Sequence, residues 1–206
     1  MKHELVVVGA LETNCYLVYD EETRDGAVID PGAEAEKIIS TIADLGISPV
    51  IILNTHGHVD HIGANSAIVR KYGIPLAMHA ADTGMLKVSE YIELSLLLGA
   101  QNSPAPDRLL AEGDEIAIGR TALRVIHTPG HTPGSVGFVN AGVLFSGDTL
   151  FCGGVGRTDL PGGSWTDLER SLRERILTLP GETVVLPGHG PRTTIEQERS
   201  SNPFLT

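Results

Sequence analysis

Apolar positions in the first half of the chain come in two spacings, which predict strands and helices in alternation. Short continuous apolar runs at 26–30 and 50–53 are typical of buried strands. The segment between them repeats isoleucine and leucine at helical spacing and ends at Gly46, a natural helix stop. A strand, a helix and a second strand in this order predict an α/β fold.

The pattern continues with a second predicted helix that begins near Asp60 and ends at Gly73, followed by a strand at 75–79. Residues 81–99 are apolar at mixed spacing, and we interpret them as a candidate lid. From Glu115 onward the chain changes to short strands separated by glycine and proline turns. The second half is therefore predicted to be richer in strand than the first.

A last helix is predicted to begin at Ser164, because Asp167 follows three positions later in a capping-box-like pair. Its apolar stripe is expected to face inward and comprises Trp165, Leu168, Leu172 and Ile176. The final strand is expected at 183–190. Both halves show the order strand, aspartate, helix, strand, histidine, which suggests two similar halves that meet at one site. No linker composition divides the chain, so we expect one domain over residues 1–206.

Composition narrows the class of protein. The chain has 206 residues, 41% of them hydrophobic, and a formal net charge of −11. An acidic surface argues against nucleic acid as the main partner, because phosphates bind to positive surfaces. No apolar run approaches the roughly 18 residues of a membrane span, and the N-terminus lacks signal-peptide features. Cys15 and Cys152 lie far apart, which fits a reduced, cytoplasmic protein.

The stretch NTHGHVDH at 54–61 concentrates potential metal ligands. In an extended strand, His56, His58 and Asp60 would share one face and His61 would point away. A turn into a helix near Asp60 would break this alternation, and Gly57 would allow the bend. The cluster alone is a weak signal, because short histidine motifs also arise by chance.

Four further ionisable residues stand in glycine or proline turns at predicted strand ends. They are Asp30, His131, Asp148 and His189. Imidazole nitrogen and carboxylate oxygen are the ligands of catalytic zinc and similar metals. Taken together with the histidine cluster, these turns predict a metal centre.

This combination of HxHxDH, TPGHT, GDT and PGHG turns resembles the metallo-β-lactamase superfamily over about residues 10–206. The resemblance implies a four-layer αββα sandwich, with two mixed sheets flanked by helices. It implies that one metal ion is bound by His56, His58 and His131. It implies that a second ion is bound by Asp60, His61 and His189, and that Asp148 bridges both. Asp30 matches an early aspartate that orients a ligand from behind.

The stretches TPGHTPGSV, FSGDTLF and GGVGRTDLPGG are similar to the short prokaryotic glyoxalase II-like (hydroxyacylglutathione hydrolase-like) branch. The resemblance implies a binuclear thioesterase that hydrolyses S-acyl glutathione, or a related acyl thioester, through a hydroxide between the ions, with Asp60 and Asp148 as catalytic residues. Arg157 matches a residue that binds a glutathione carboxylate, although a solvated turn residue is an equal alternative. The chain ends soon after His189, so we expect no C-terminal helical substrate domain.

Several alternatives stay open at this point. A persulfide dioxygenase resembles the same scaffold but uses one iron on the positions of His56, His131 and Asp148. A non-catalytic scaffold and a nuclease are less favoured, because every ligand is present and no large insertion exists. Asp148 in place of cysteine argues against hydrolysis of β-lactam antibiotics. Zinc is the first expectation for the two divalent ions, and iron and manganese also fit the ligand types. The sequence does not indicate an oligomeric state.

Two other histidines are expected to be structural, since neither lies in a ligand turn. They are His79 and His127. Phe151, Trp165 and the 81–99 segment are candidates for the pocket lining.

Overall fold

The computed structural model describes residues 1–86 and 102–205, which form two six-stranded sheets and one two-stranded hairpin. The strands of the first sheet are β1 (Lys2–Val8), β2 (Thr13–Tyr19), β3 (Asp25–Ile29), β4 (Ser48–Leu53), β5 (Leu76–His79) and β6 (Arg108–Leu110). Those of the second sheet are β7 (Glu115–Ile118), β8 (Thr121–His127), β9 (Val136–Asn140), β10 (Val143–Gly147), β13 (Val184–Pro187) and β14 (Thr193–Thr194). The hairpin is formed by β11 (Leu150–Phe151) and β12 (Gly154–Val155).

Both large sheets are mixed. In the first, β1, β2 and β3 pair antiparallel, and β3 through β6 are parallel, in the spatial order β1-β2-β3-β4-β5-β6. In the second, ordered β14-β13-β10-β9-β8-β7, the strands from β7 to β10 are antiparallel and β13 joins β10 in parallel. Parallel pairs need a crossover, and those from β3 to β4, from β4 to β5 and from β10 to β13 contain α-helices.

The helices are α1 (Ala35–Asp44), α2 (Val59–Ile62), α3 (Asn65–Tyr72), α4 (Trp165–Ser171) and α5 (Ile195–Ser201). Helices α1 and α3 pack on the first sheet through Ile38, Ile42 and Ile68, all fully buried. Helix α4 and the π-helical turn Leu172–Ile176 pack on the second sheet. Between the two sheets lies a third apolar layer that includes Phe138 and Phe145. The predicted four-layer αββα sandwich is therefore confirmed.

The two halves share a topology, as their sequences suggested. The antiparallel strands β1 to β3 lead through α1 to the parallel strand β4. The antiparallel strands β8 to β10 lead through α4 to the parallel strand β13. Because an aspartate follows the third strand and a histidine the fourth in each half, equivalent loops of the two halves carry the candidate ligands.

The helix predicted from Asp60 to Gly73 is in fact two helices, α2 and α3. Two hydrogen bonds from outside the helix divide it. The side-chain amide of Asn54 donates to the carbonyl of His61, at 3.1 Å. The backbone N–H of Ala64 donates to the carbonyl of Pro31, at 2.9 Å. These tertiary contacts replace helical hydrogen bonds and redirect the chain.

Two other predictions need correction, and a third lies mostly outside the described residues. Trp165 is 42% exposed, whereas Leu168, Leu172 and Ile176 are fully buried, so the stripe of α4 omits its first member. Residues 183–190 do not end the secondary structure, because β14 and α5 follow β13. Residues 80–86 form a 3₁₀ helix, Ala80–Leu86, and the rest of the proposed lid lies outside the described residues. No helix in the described parts of the chain is both long and apolar enough to cross a bilayer.

Candidate metal centre

The candidate ligands all follow strands, and they meet at one edge of the two facing sheets. The NTHGH loop follows β4, and His131 lies in the turn after β8. Asp148 follows β10, and His189 follows β13. An α/β fold commonly binds ligands at the carboxyl ends of its strands, because the loops of neighbouring strands converge there.

The first group of ligand atoms comes from His56, His58 and His131, and these atoms lie within 4.8 Å of one another. Nδ1 of His58 and Nε2 of His131 are 2.9 Å apart. His56 and His131 are buried and His58 is half-buried. Three imidazoles at this separation can share one tetrahedral metal ion and leave a fourth position open.

The second group comes from Asp60, His61 and His189, which also meet within 4.8 Å. Oδ2 of Asp60 lies 3.2 Å from Nε2 of His189 and 3.5 Å from Nε2 of His61. The short helix α2 brings Asp60 and His61 to the same side, as the broken strand alternation predicted. His58 is the N-cap of this helix in extended conformation.

Asp148 lies between the two groups. Its Oδ2 is 3.7 Å from Nε2 of His131, and its Oδ1 is 3.4 Å from Nε2 of His61. The geometry thus places Asp148 where a bridging carboxylate is expected. Each of the seven predicted ligands reaches the centre, and the assignment of each as a ligand stays a prediction.

Hydrogen bonds behind the rings determine which nitrogen faces the centre. In four rings Nδ1 contacts an oxygen, which directs Nε2 at the centre. The four contacts are His56 to Thr55 Oγ1 at 3.0 Å, His61 to Asp30 Oδ2 at 3.0 Å, His131 to the Arg157 carbonyl at 2.7 Å and His189 to the Leu11 carbonyl at 3.0 Å. Each ring is therefore oriented as a ligand.

Two buried atoms at the centre have no hydrogen-bond partner in the described chain, namely Nε2 of His56 and Oδ1 of Asp148. Burial of an unpaired polar atom is costly, so such atoms are uncommon in native proteins unless they bind something else. Both belong to the predicted ligand set. The residues present therefore fit divalent metal ions.

Asp30 has the supporting position that was predicted for it. Its carboxylate accepts the backbone N–H of Thr55 at 2.8 Å and the Thr55 hydroxyl at 2.6 Å. It also faces Nδ1 of His61 at 3.0 Å. Although an Asp30 oxygen lies within 4.8 Å of ring nitrogens of His56 and His61, both its oxygens are already engaged. Asp30 holds the ligand loop from behind.

Burial and neighbouring charges shift the pKa values of several side chains at the centre. Burial, reinforced by the adjacent imidazoles, lowers the pKa of His56 far below its ordinary value and that of His58 to about 3. Burial would raise the pKa of Asp60, but His61 and His189 outweigh it and lower the pKa. His56 and His58 are thus neutral imidazoles and Asp60 is ionised, which are the forms that coordinate metals. Burial would lower the pKa of His61, but Asp148, Asp60 and Asp30 outweigh it and raise the pKa to about 10, so a metal ion must displace a proton there.

A pocket of about 570 Å³ opens onto the centre. Its walls include Leu11, Met85, Phe151 and Leu160, and ligand side chains form part of its lining. Phe151 and Met85 agree with the predicted lining, whereas Trp165 does not contribute. His79 and His127 lie outside the ligand groups and stack on each other, with ring centroids 4.2 Å apart.

Arg157 lies at the pocket and is exposed. Its guanidinium forms a two-point ion pair with Asp159, with hydrogen bonds of 2.9 and 2.8 Å. Its backbone carbonyl faces Nδ1 of His131. The residue is therefore tied to the site through its main chain, and its side chain is accessible to a substrate.

Sequence reasoning missed Asp82, a fully buried carboxylate behind the ligand loops. No turn motif surrounds it, so the sequence offered no signal. The role of Gly57 was also misjudged. Its φ is not positive, but a Cβ there would lie 2.8 Å from Cβ of Met85. Close packing against the 3₁₀ helix, and not a bend, requires glycine.

The αββα sandwich and the histidine and aspartate groups at its sheet ends together indicate a metal-dependent hydrolase, an inference from the site and not from the fold alone. The family model of the metallo-beta-lactamase superfamily matches residues 8–189, so the chain belongs to this superfamily.

Two relatives represent the two activities considered above. The chain is 38% identical to hydroxyacylglutathione hydrolase GloC of Haemophilus influenzae, covering 100% of this chain and 98% of that protein. It is 37% identical to mitochondrial persulfide dioxygenase ETHE1 of Mus musculus, covering 94% of this chain and 72% of that protein. Because the two sequence identities are nearly equal, they do not distinguish a hydrolase from a dioxygenase.

Solved structures confirm the fold and widen the range of activities. BLEG-1, described as a B3 metallo-beta-lactamase, is similar with a TM-score of 0.92 and 40% identity over 100% of both chains. TTHA1623 in a di-iron-bound form has a TM-score of 0.89 and 41% identity, covering 98% of this chain and 100% of that one. The ligand groups and the di-iron neighbour support binding of divalent metal ions, without indicating which metal. That Asp148 disfavours hydrolysis of β-lactams stays a prediction.

Proposed function

We propose that this protein is a binuclear metal-dependent thioesterase of the glyoxalase II-like type, acting on S-acyl glutathione or a related small acyl thioester. The observation that carries the proposal is the presence of two complete ligand groups with Asp148 between them. Its Oδ2 lies 3.7 Å from Nε2 of both His131 and His189, one ring from each group. A mononuclear iron site at His56, His131 and Asp148 is compatible with the same residues, so metal content is what distinguishes the two functions.

Two divalent cations at these positions, with zinc as our first expectation and iron or manganese as alternatives, would activate water and polarise the thioester carbonyl. The chain's own residues supply the rest. Oδ1 of Asp148 is buried and accepts no hydrogen bond in the described chain, although Nε2 of His61 lies 3.4 Å away, so it can hold a proton or a cation during the reaction. Oδ2 of Asp60 lies 3.2 Å from Nε2 of His189 and 3.4 Å from the Thr13 hydroxyl, so its charge is directed at the second ligand group.

The pocket suits a small thioester. Its apolar side chains, Leu11, Met85, Phe151 and Leu160, can exclude water from the acyl and thiol parts of a substrate. Arg157 offers a cation at the same pocket, and its charge counters the repulsion that a chain of net charge −11 exerts on an anionic substrate. We propose that Arg157 binds a carboxylate of the thiol portion.

Persulfide dioxygenase is the second candidate, supported by the 37% identity to ETHE1. It would use a single iron at His56, His131 and Asp148 and would leave His58 without a role. The discriminating variant is therefore His58→Ala. We expect it to abolish thioester hydrolysis while the fold, followed by circular dichroism, is retained, and we expect Asp148→Asn to do the same.

The experiment combines metal analysis with three assays on the wild-type protein. Hydrolysis of S-D-lactoylglutathione and of simple acyl thioesters, with two metal ions per chain, would support the proposal. Oxygen uptake on glutathione persulfide with one iron, unaffected by His58→Ala, would establish the dioxygenase instead. Hydrolysis of a chromogenic cephalosporin without thioesterase activity would establish a β-lactamase and overturn the argument from Asp148.

Other properties follow as proposals. The partner is a small-molecule thioester, with no nucleic acid or membrane partner, and the chain forms a single domain. Cys15 and Cys152 are both free thiols, which is consistent with our proposal of a cytoplasmic location.

A further inference from the structure

Asp82 is a buried carboxylate that connects two of the loops that carry predicted ligands. It lies in the 3₁₀ helix Ala80–Leu86 and is 0% exposed. Its Oδ2 accepts the backbone N–H of Gly57 at 3.0 Å and the Thr132 hydroxyl at 2.7 Å. Its Oδ1 accepts the backbone N–H of Gly134 at 2.7 Å. Both oxygens are thus engaged, and Oδ2 joins the two loops directly.

The two loops are packed against Asp82 so closely that only glycine fits at the contact points. A Cβ at Gly134 would lie 2.6 Å from Cγ of Asp82. A Cβ at Gly57 would lie 3.0 Å from the Asp82 carbonyl oxygen and 3.2 Å from Cβ of Asp82. Three hydrogen bonds to one carboxylate, together with this close packing, fix the loops on both sides.

The residues that Asp82 binds are direct neighbours of first-group ligands. Gly57 lies between His56 and His58, and Thr132 follows His131. The ring nitrogens Nδ1 of His58 and Nε2 of His131 meet at 2.9 Å across the gap that Asp82 spans. Among the described residues the two loops are also joined by a backbone hydrogen bond from Val136 to the Thr55 carbonyl, at 2.8 Å, outside the stretches that carry His58 and His131. Asp82 binds Gly57 and Thr132, which are direct neighbours of those two ligands.

The second group is held by other contacts. His61 is oriented by Asp30, and His189 is oriented by the Leu11 carbonyl. Neither contact involves Asp82 or the 3₁₀ helix. A change at Asp82 is therefore expected to act on one group and spare the other.

We propose that Asp82 is a positioning residue for the first metal site, where it sets the distance between His58 and His131. The same side chain fixes Met85 against the pocket, because both belong to one 3₁₀ helix. The inference rests on the metal centre of the proposed function and not on the choice of substrate, so metal binding tests it without an activity assay.

The test is a titration of the metal-free protein with Zn²⁺ against a chromogenic chelator. The variant is Asp82→Asn, which keeps the volume but turns an amide N–H₂ toward at least one hydrogen-bond donor. We expect the wild type to bind two ions. In the variant, one ion should bind about 10-fold to 100-fold more weakly, which is the range typical for loss of a group that orients a ligand. The other ion should bind within about twofold of wild type.

A double-mutant comparison identifies the affected site. In a His58→Ala background, where the first site is already disabled, Asp82→Asn should change the remaining zinc affinity by less than about twofold. In a His189→Ala background, where the second site is disabled, the full loss of about tenfold or more should persist. Equal losses in the two backgrounds would overturn the proposal.

Glu198→Gln is the matched control for stability. Glu198 is also 0% exposed and accepts hydrogen bonds from Gly153 N, Thr193 Oγ1 and Asn202 Nδ2, none of them in the loops of the first group. It should lower Tm and leave both zinc affinities unchanged. If Asp82→Asn behaved in the same way, Asp82 would be merely structural and the proposal would fail.

A milder variant covers the case in which Asp82→Asn does not fold. Thr132→Val removes one of the three hydrogen bonds and preserves the side-chain shape. It should weaken the same zinc ion by a smaller factor, about threefold to tenfold. Unchanged zinc affinity in Thr132→Val would also count against the proposal. Absence of thioesterase activity on every substrate would overturn the proposed function and leave these titrations valid.

Discussion

Oδ2 of Asp30 lies 3.0 Å from Nδ1 of His61, and both side chains are buried. The same oxygen accepts the Thr55 hydroxyl, and Thr55 Oγ1 in turn lies 3.0 Å from Nδ1 of His56. One carboxylate thus orients a ring in each metal-binding group, directly in the second and through Thr55 in the first. Asp30 has a φ of 50°, a left-handed conformation that aspartate and asparagine tolerate better than most residues.

Asp30→Asn should weaken both metal ions, unlike the selective effect expected at Asp82. Asparagine tolerates the same backbone conformation, but its N–H₂ group would face at least one of the donors whose hydrogen bonds Asp30 now accepts. We expect a loss of about 10-fold to 100-fold in zinc affinity at each site, measured by chelator competition. If only one ion bound more weakly, Asp30 would not orient His56 through Thr55.

Removal of the metals should lower stability as well as activity. Nε2 of His56 and Oδ1 of Asp148 are buried without partners in the described chain, so the metal-free centre retains uncompensated polar atoms. We expect a strong chelator to abolish hydrolysis and to lower Tm by several degrees. Adding back Zn²⁺ should restore both, and the rise in Tm should increase with zinc concentration, because binding stabilises the folded state. A Tm that is insensitive to chelator would contradict metal binding at these residues.

Arg157→Ala tests the proposed contact with a substrate carboxylate. We expect KM for S-D-lactoylglutathione to rise about tenfold with little change in kcat, because one charge-assisted hydrogen bond is lost. The carbonyl that faces His131 belongs to the backbone, so the substitution should leave metal content unchanged. A thioester that lacks carboxylates is the control substrate, and its KM should not move.

Asp159→Asn tests the same contact in the opposite direction, because it should strengthen substrate binding by Arg157. Its carboxylate now pairs with Arg157 and competes with any anionic substrate. Removing that competitor should lower KM for S-D-lactoylglutathione by about twofold to threefold, since exposed ion pairs are weak. If both variants left KM unchanged, Arg157 would be the solvated turn residue that the sequence also allowed.

Asp20 gives a pH-dependent contribution to stability, far from the metal centre. Its carboxylate accepts the backbone N–H of Arg120 at 2.6 Å and that of Glu22 at 2.8 Å, and so connects a hairpin of the first sheet to one of the second. These backbone hydrogen bonds lower the pKa of Asp20 in the folded protein. The stabilisation is thus present above the unfolded-state pKa of about 4 and is lost as pH falls through the lower folded-state pKa.

Asp20→Asn should therefore lower Tm at pH 7 and lower it progressively less below about pH 4. Calorimetry of both proteins across this range measures the difference. A Tm difference that stayed constant with pH would show that the charge of Asp20 does not contribute.

Leu168→Ala and Trp165→Ala test the corrected stripe of α4. Leu168 is fully buried and packs with Leu172 and Ile176, so its truncation should cost about 2–5 kcal/mol in the free energy of unfolding. Trp165 is 42% exposed, and its truncation should cost about 1 kcal/mol or less. Chemical denaturation measures both values. Similar costs would mean that Trp165 is buried in solution.

Local sequence patterns determined the strand and helix order, the capping of α4 and the turns that carry the ligands. The Ser164 hydroxyl accepts the backbone N–H of Asp167, as the spacing predicted. The seven predicted ligands converge because each follows a strand, and strand ends of an α/β fold are brought together by the sheet itself. Apolar periodicity and turn chemistry are local properties, and these features depend on little else.

Only the tertiary structure decided the features that depend on residues distant in sequence. The helix at 60–73 is divided because Asn54 and Pro31 supply hydrogen bonds that no local pattern reveals. Trp165 is exposed because the packing surface of the second sheet does not extend to the first residue of α4. Asp82 acquires its partners, Thr132 and Gly134, across about 50 positions of chain. A buried carboxylate with three distant donors has no signature in its own segment, since its stabilisation is created only when the sheets pack together.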